Sequence, residues 1–482
     1  MINYRIIFRV LGVLLMIIGL LMWTGVPVSL YFQSGDGAAL GFSGLICIVS
    51  GLFARLALKT DNKSIRKREG YLIVALGWLT MVFFGMLPYL LSGVIPTITD
   101  ALFETVSGMT TTGASILTDI EAQPPGILYW RSLTQWIGGM GIIVLTIAIF
   151  PLLGIGGVEL FVAEAPGPTS DKIHPRISET AKRLWLIYVG LTFVLTIILF
   201  LEGMSMYEAI NHALTTMATG GFSTRNTSMA AFSPTIQYTT CLFMFLAGTN
   251  YTILYLSFKG KLKRVWSSTE FKAYIFLILA LTLLVSISVH AAASISWEQA
   301  FRDSLFQIIS LITTTGFVSA DYTSWSMGLS LLFFMMLFLG ACAGSTSGGI
   351  KIIRHLVFFK NSYLEFKRLI HPRAIVPLRL DGEIVKGRII THIIIFLLLY
   401  LFLFVFGSLV LAWMGLDLLT ALGATATSLG NVGPAIGKVG PVDNFAWLPD
   451  QAKLFLSFLM LLGRLELFTI LVLFTPYFWR AN

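Results

Sequence analysis

The sequence predicts an all-α polytopic membrane protein. Four pseudo-symmetric units of span, pore half-helix and span surround one pore, preceded by two further spans, ten in all. Three observations carry this. The 482 residues are 56% hydrophobic and only 12% charged, about half the charged fraction of a soluble domain. Apolar runs of about twenty residues recur, each long enough to cross a ~30 Å hydrocarbon core as a helix. Four segments also stack without gaps, roughly a hundred residues apart. They are "DALFETVSGMTTTG" (100–113), "EAINHALTTMATGG" (208–221), "DSLFQIISLITTTG" (303–316) and "TALGATATSLGNVG" (420–433).

Residues 1–69 supply the two leading spans, 6–30 and 38–58. The first lacks a small-residue cleavage site and is expected to be a retained helix rather than a signal peptide. The first unit is 70–170, with spans 71–94 and 127–153, and the second is 171–265, with spans 184–203 and 236–258. The third is 266–375, with 271–292 and a broken final helix over 324–357; the fourth is 376–482, with 389–415 and 452–478. Between each pair of spans, the repeated segment opens on a residue suited to a helix N-terminus: Asp100, Glu208, Asp303 or Thr420. Its ten or eleven helical residues reach only ~16 Å, half a membrane. Unpaired backbone is intolerable in lipid, so the spans are helices. The alternating ~10-residue segments of a membrane barrel are not present.

Charge placement agrees with ten spans. All Lys and Arg except Arg131, Arg225, Arg302, Lys438, Lys453 and Arg464 lie in the N-terminus, in linkers 55–69, 172–183, 259–272 and 351–388, or at Arg480. That asymmetry is the positive-inside signature and puts both termini in the cytoplasm. The net charge of +9 therefore reflects topology and lipid headgroups, or docking of a cytoplasmic partner, rather than nucleic acid. Cys47, Cys241 and Cys342 have unrelated spacings, and the six histidines show no ligand pattern. Neither a disulfide framework, a transition-metal site nor a bound cofactor is expected.

Non-helical backbone at membrane depth is tolerated only where it is buried in protein or lines a water-filled path. Glycine lets successive carbonyls point the same way, and threonine adds an uncharged hydroxyl oxygen. A ring of such oxygens can replace the hydration shell of a monovalent cation, and half-helix C-termini favour positive charge nearby. The short segments that follow the half-helices carry no carboxylate, so potassium or sodium is expected ahead of divalent ions. The candidate filter is Thr111, Thr112 and Gly113; Thr219, Gly220 and Gly221; Thr314, Thr315 and Gly316; and Asn431, Val432 and Gly433. In any one segment, Thr and Gly could instead serve close helix packing; four aligned copies favour the ring.

Two irregularities lie beyond it. "AGSTSGG" (343–349), containing Gly344, Ser345, Thr346, Ser347, Gly348 and Gly349, disfavours a continuous helix. It is expected to be an intramembrane break, with a surface loop as the alternative. Arg464 falls about midway along the expected last span, where a charge costs at least ~2.5–3.5 kcal/mol. It is expected to face protein or water, either paired with Glu104 or another acid, or beside the ion path as a barrier.

The endings "TTTGA", "TGGFS", "TTTGF" and "NVGP", with "GACAGSTSGGIKIIR" (340–354) and "GRLELF", make the chain resemble the Trk/Ktr/HKT superfamily of cation transporters over essentially its whole length. The resemblance implies potassium uptake across a bacterial cytoplasmic membrane, with Gly113, Gly221, Gly316 and Gly433 lining a selectivity filter. Serine at the first of these positions accompanies sodium preference in some plant relatives, so Gly113 implies potassium. It implies that the 343–349 loop is mobile and gates the pore below the filter. It also implies a homodimer and a separate cytoplasmic nucleotide-binding regulatory subunit. The chain has no GxGxxG of its own after a strand. The competing expectation is an alternating-access symporter coupled to sodium or protons, although such folds usually show inverted repeats. A membrane enzyme would need clustered acids, histidines or a nucleophile constellation, and none is evident.

Overall fold

The leading helices show how small residues bring backbones together. The computed structural model describes residues 2–57, 67–139, 141, 177–293, 295–374 and 376–480. Tyr4–Trp23 continues through a single turn residue, Thr24, into Gly25–Phe32, and packs along Gly37–Ala57. A methyl on Gly12 would lie 2.7 Å from the Gly51 carbonyl oxygen, and one on Gly19 would lie 2.5 Å from that of Gly44. Close approach at paired glycines is a packing mode suited to lipid, where the hydrophobic effect does not drive helices together.

Among the described residues, six helical stretches are long and apolar enough to cross a membrane: Tyr4–Phe32, Gly37–Ala57, Arg68–Ser92, Lys182–Leu201, Thr269–Ala292 and Gly387–Trp413. Two further stretches, Pro234–Gly248 with Tyr251–Phe258 and Asp450–Arg464 with Phe468–Phe474, qualify only as pairs, each bent by 106°. The count is thus six, or eight with the bent pairs, against the ten expected. Pro125–Gly139 begins where the second span of the first unit was expected, but most of 140–153 lies outside the described residues. Large apolar side chains such as Phe276, Leu283, Leu398 and Leu409 are exposed along these helices, as on faces that meet lipid rather than water.

The half-helices are Ile98–Met109, Met206–Met217, Trp297–Ile312 and Leu418–Gly430. They start earlier than expected because the caps lie upstream of the repeat. Thr97 and Ser205 accept from the amides of Asp100 and Glu208, and Ser205 with Glu208 forms a capping box. Asp417 caps Thr420 in the same way, while Ser296 caps Gln299, most of two turns ahead of Asp303. Asp100, Glu208 and Thr420 are therefore the third residues of their helices, in the first turn, and supply the amides that the caps accept from; they are not the caps themselves.

Three expected spans need correction. The 236–258 span breaks at Thr249–Asn250, where Asn250 caps the next helix by accepting from Thr252 N at 2.7 Å. The 452–478 span breaks after Arg464, so Arg464 ends a helix instead of occupying the middle of one. In 324–357, helix Met327–Met336 gives way to a loop and resumes only at Ile352–Ile370, a wider interruption than 343–349. The two sides of that loop pair as parallel two-residue strands, Leu339–Gly340 with Ile350–Lys351. A second small pair, Arg379–Leu380 with Glu383–Ile384, is antiparallel.

Candidate functional site

Each half-helix ends in the same way. The amides of Thr112, Gly220, Thr315 and Val432 donate back to the carbonyls of Ser107, Thr215, Ser310 and Thr427 at 2.8–3.1 Å. Those of Thr111, Thr219, Thr314 and Asn431 donate to Gly108, Thr216, Leu311 and Ser428. This is the Schellman arrangement, which requires a left-handed residue just past the helix. Here that residue is Thr111 (φ 56°), Thr219 (53°), Thr314 (54°) or Asn431 (53°). Asparagine tolerates this conformation, whereas threonine, being β-branched, adopts it rarely. Such strain, on the order of 1–3 kcal/mol per residue, persists where the surroundings impose it and clusters at functional sites.

Two residues further on, Gly113 (φ 83°), Gly221 (75°), Gly316 (77°) and Gly433 (101°) are again left-handed. Their neighbours show how the segments are arranged. A side chain on Gly113 would overlap the carbonyl oxygen of Gly220, one on Gly221 that of Thr315, and one on Gly316 that of Val432. One on Gly433 would lie 2.7 Å from the carbonyl oxygen of Thr112. The contacts run first to second, second to third, third to fourth, and fourth back to first. The four segments close into a ring.

Behind the ring is a polar brace that the sequence did not reveal. Glu104 and Arg131 are both buried and pair at 2.6 Å. Glu104 also accepts from Ser115 Oγ and Ile116 N, both at 2.9 Å, and Arg131 donates to the Ser223 carbonyl at 3.1 Å. The pair thus ties the chain just past Gly113 to the chain just past Gly221. Gln135 adds to it, donating to the Gly220 carbonyl at 2.6 Å and accepting from Phe222 N at 3.0 Å. Outside these, Asn226 accepts from Ile120 N and donates to Asp119, and that bond holds the Asp119 carboxyl below its ordinary value. The only hint in the sequence was that Arg131 is one of six basic residues outside the cationic linkers. Arg131→Met is expected to destabilise the fold by about 3–5 kcal/mol by leaving Glu104 buried without its partner. This would register as a lower melting temperature in detergent, and an unchanged one would contradict it.

The 343–349 loop is mostly enclosed: Ala343, Thr346, Ser347 and Gly348 are buried, Ser345 and Gly349 are half-buried, and Gly344 is exposed. It meets the C-terminal ends of three half-helices. Thr346 Oγ1 donates to Met217 O (3.1 Å), Gly348 N donates to Thr314 Oγ1 (2.6 Å), and a methyl on Gly348 would lie 2.5 Å from Gly430 O. The broken helix of the second unit also holds it, through Tyr251 N to Gly344 O at 3.0 Å. Lys351 Nζ folds back onto the Ser347 carbonyl and hydroxyl.

Arg464 lies against this loop and does not pair with Glu104, whose carboxylate is taken by Arg131. Its guanidinium donates to Thr346 O at 2.8 Å, and to Gly138 O and Gly139 O at 2.6 and 2.8 Å. It therefore links the middle of the loop to the first unit. Just past it, Glu466 (φ 54°) pairs with Arg354, on the helix that leaves the loop.

Fold and site together define a polytopic α-helical membrane protein in which four half-helix ends, joined in a ring, sit against a buried loop. The chain belongs to the TrkH family of cation transport proteins, whose family model matches residues 39–480. It is therefore a transporter, not an enzyme. It is 39% identical to "Trk system potassium uptake protein TrkH" of Salmonella typhimurium, over 99% of this chain and 100% of that protein. It is 33% identical to "Trk system potassium uptake protein TrkG" of Escherichia coli, over 99% of each. Among solved structures it is similar to the potassium transporter TrkH from Vibrio parahaemolyticus, with a TM-score of 0.89 and 36% identity, covering 99% of this chain and 100% of that one.

Proposed function

We propose that this protein takes up potassium through a channel-like pore whose selectivity filter is the ring of glycine segments and whose gate is the 343–349 loop with Arg464. The observation that carries the proposal is the cyclic contact of Gly113, Gly221, Gly316 and Gly433 with the next segment's carbonyls. Four segments with the same left-handed pattern, meeting around one axis, are suited to presenting backbone oxygens to a dehydrated cation. The loop lies at the half-helix C-termini, whose partial negative charge favours a cation, so its displacement would clear the path below the ring. The four units 70–170, 171–265, 266–375 and 376–482 then form one pseudo-fourfold pore, with both termini in the cytoplasm of a bacterial inner membrane. Homodimerisation and control by a separate cytoplasmic nucleotide-binding subunit complete the proposal; the basic inner linkers suit such docking. The relatives named above are potassium uptake proteins, which supports potassium as the ion.

Rubidium and sodium flux into liposomes of purified protein, with and without an imposed proton gradient, tests the pore against coupled transport. Uptake that follows the rubidium gradient alone is expected, whereas uptake only with a proton or sodium gradient would favour the symporter. In the same assay, deleting Gly344 to Gly349 is expected to raise basal rubidium flux. Equal or lower flux from a correctly inserted deletion would count against the loop as a gate.

A further inference from the structure

The ends of the loop are held by a residue with no part in the ring. Glu270 is in the first turn of helix Thr269–Ala293, within the basic linker 259–272, and is 7% exposed. One carboxylate oxygen accepts from Ala343 N at 2.8 Å and from Ile353 N at 3.2 Å. These amides bracket the loop. Ala343 begins it, and Ile353 belongs to the first turn of the helix that resumes at Ile352. A first-turn amide has no partner within its own helix, and a carboxylate placed there is favoured by both charge-assisted hydrogen bonding and the helix dipole. Alongside these amides, the two sides of the loop are closed together by the parallel strands 339–340 and 350–351 and by Ile352 N donating to Ala341 O at 3.1 Å.

The neighbour of Glu270 extends this connection outward. Thr269 N donates to Asp381 Oδ1 at 2.7 Å, in the tight turn of the 379–384 hairpin, where Asp381 is left-handed. Thr269 and Glu270 thus join the hairpin, within the basic linker assigned to the cytoplasm, to both ends of the buried loop. Arg464 grips the loop at its middle, through Thr346.

We propose that Glu270 is a positioning residue for the gate: its carboxylate pins Ala343 and Ile353 together, keeps the loop seated under the ring, and passes movement of the cytoplasmic hairpin to it. This rests on the 343–349 loop being the gate. Glu270 does not touch the ring, so its loss changes how often the path is open and not which ion passes.

The test is rubidium and sodium flux into liposomes for the full-length parent, Glu270→Ala, Glu270→Gln, the 344–349 deletion, and the deletion combined with Glu270→Ala. Losing two charge-assisted bonds is expected to raise rubidium flux about tenfold in Glu270→Ala, with an unchanged rubidium-to-sodium ratio. Glu270→Gln keeps an acceptor oxygen and is expected to stay within about twofold of the parent. In the deletion background, Glu270→Ala is expected to add nothing, because the loop through which it acts is gone. If the alanine variant does not insert, Glu270→Asp, which withdraws the carboxylate by one methylene, is expected to leak instead. A leaky deletion with a tight Glu270→Ala overturns the role of Glu270 and leaves the gate standing. A tight deletion overturns both. A glutamine variant as leaky as alanine, an altered ion ratio, or additivity with the deletion each overturns the positioning role.

Discussion

Arg464→Ala is expected to raise potassium flux by between about twofold and several hundredfold. A unit charge ~4–8 Å from a wet pathway with an effective dielectric near 20–80 contributes roughly 0.5–4 kcal/mol to the barrier. The structure adds a second reason in the same direction. The guanidinium bonds the Thr346 carbonyl on one side and the Gly138 and Gly139 carbonyls on the other, so truncation also frees the loop from the first unit. Arg464→Lys separates the two contributions. Lysine keeps the positive charge but lacks the planar fork that reaches three carbonyls at once. If charge alone sets the barrier, lysine stays as tight as the parent; if the tether matters, lysine leaks between the parent and alanine. Rubidium uptake, with melting temperatures as a folding control, reads both. An alanine variant that is destabilised and does not leak would remove Arg464 from the gate.

The half-helices and their glycine ends were legible because backbone geometry constrained residue type at fixed offsets. Only Thr, Thr, Thr and Asn occupy the first left-handed position, and only glycine the second. Where geometry left residue choice open, legibility failed. The repeat places the half-helix starts at Asp100, Glu208, Asp303 and Thr420 because these occur in register, whereas the caps Thr97, Ser205, Ser296 and Asp417 lie outside the shared pattern. The breaks at 249–250 and after Arg464 were hidden because apolar sequence continues on both sides. Hydropathy reports compatibility with lipid, not direction. Those bends accompany contacts with the loop, from Tyr251 N to Gly344 O and from Arg464 to Thr346 O, which no local pattern encodes. Asn250, a cap residue inside an apolar run, was the one available signal. The Glu104–Arg131 pair is illegible for a related reason: an acid in a repeat does not name its partner, and Arg464 is the more conspicuous charge within an apolar run.

Gly113→Ser is expected to lower potassium preference while preserving uptake. Position 113 has φ 83°, a conformation that strains any side chain, and its Cβ would meet the Gly220 carbonyl. Serine therefore pushes one quadrant of the ring outward and turns its second segment, leaving the other three contacts intact. Gln135 donates to that same carbonyl oxygen at 2.6 Å, so displacing it also disturbs this hydrogen bond. A change of about 1.4 kcal/mol between the two ions corresponds to a tenfold change in their ratio, which is the size expected for one disturbed quadrant. The decisive measurement is the potassium-to-sodium permeability ratio of parent and Gly113→Ser in the same liposomes. A backbone-oxygen filter predicts a ratio roughly tenfold lower in the serine variant, with flux retained; an unchanged ratio in a folded, conducting variant would contradict it.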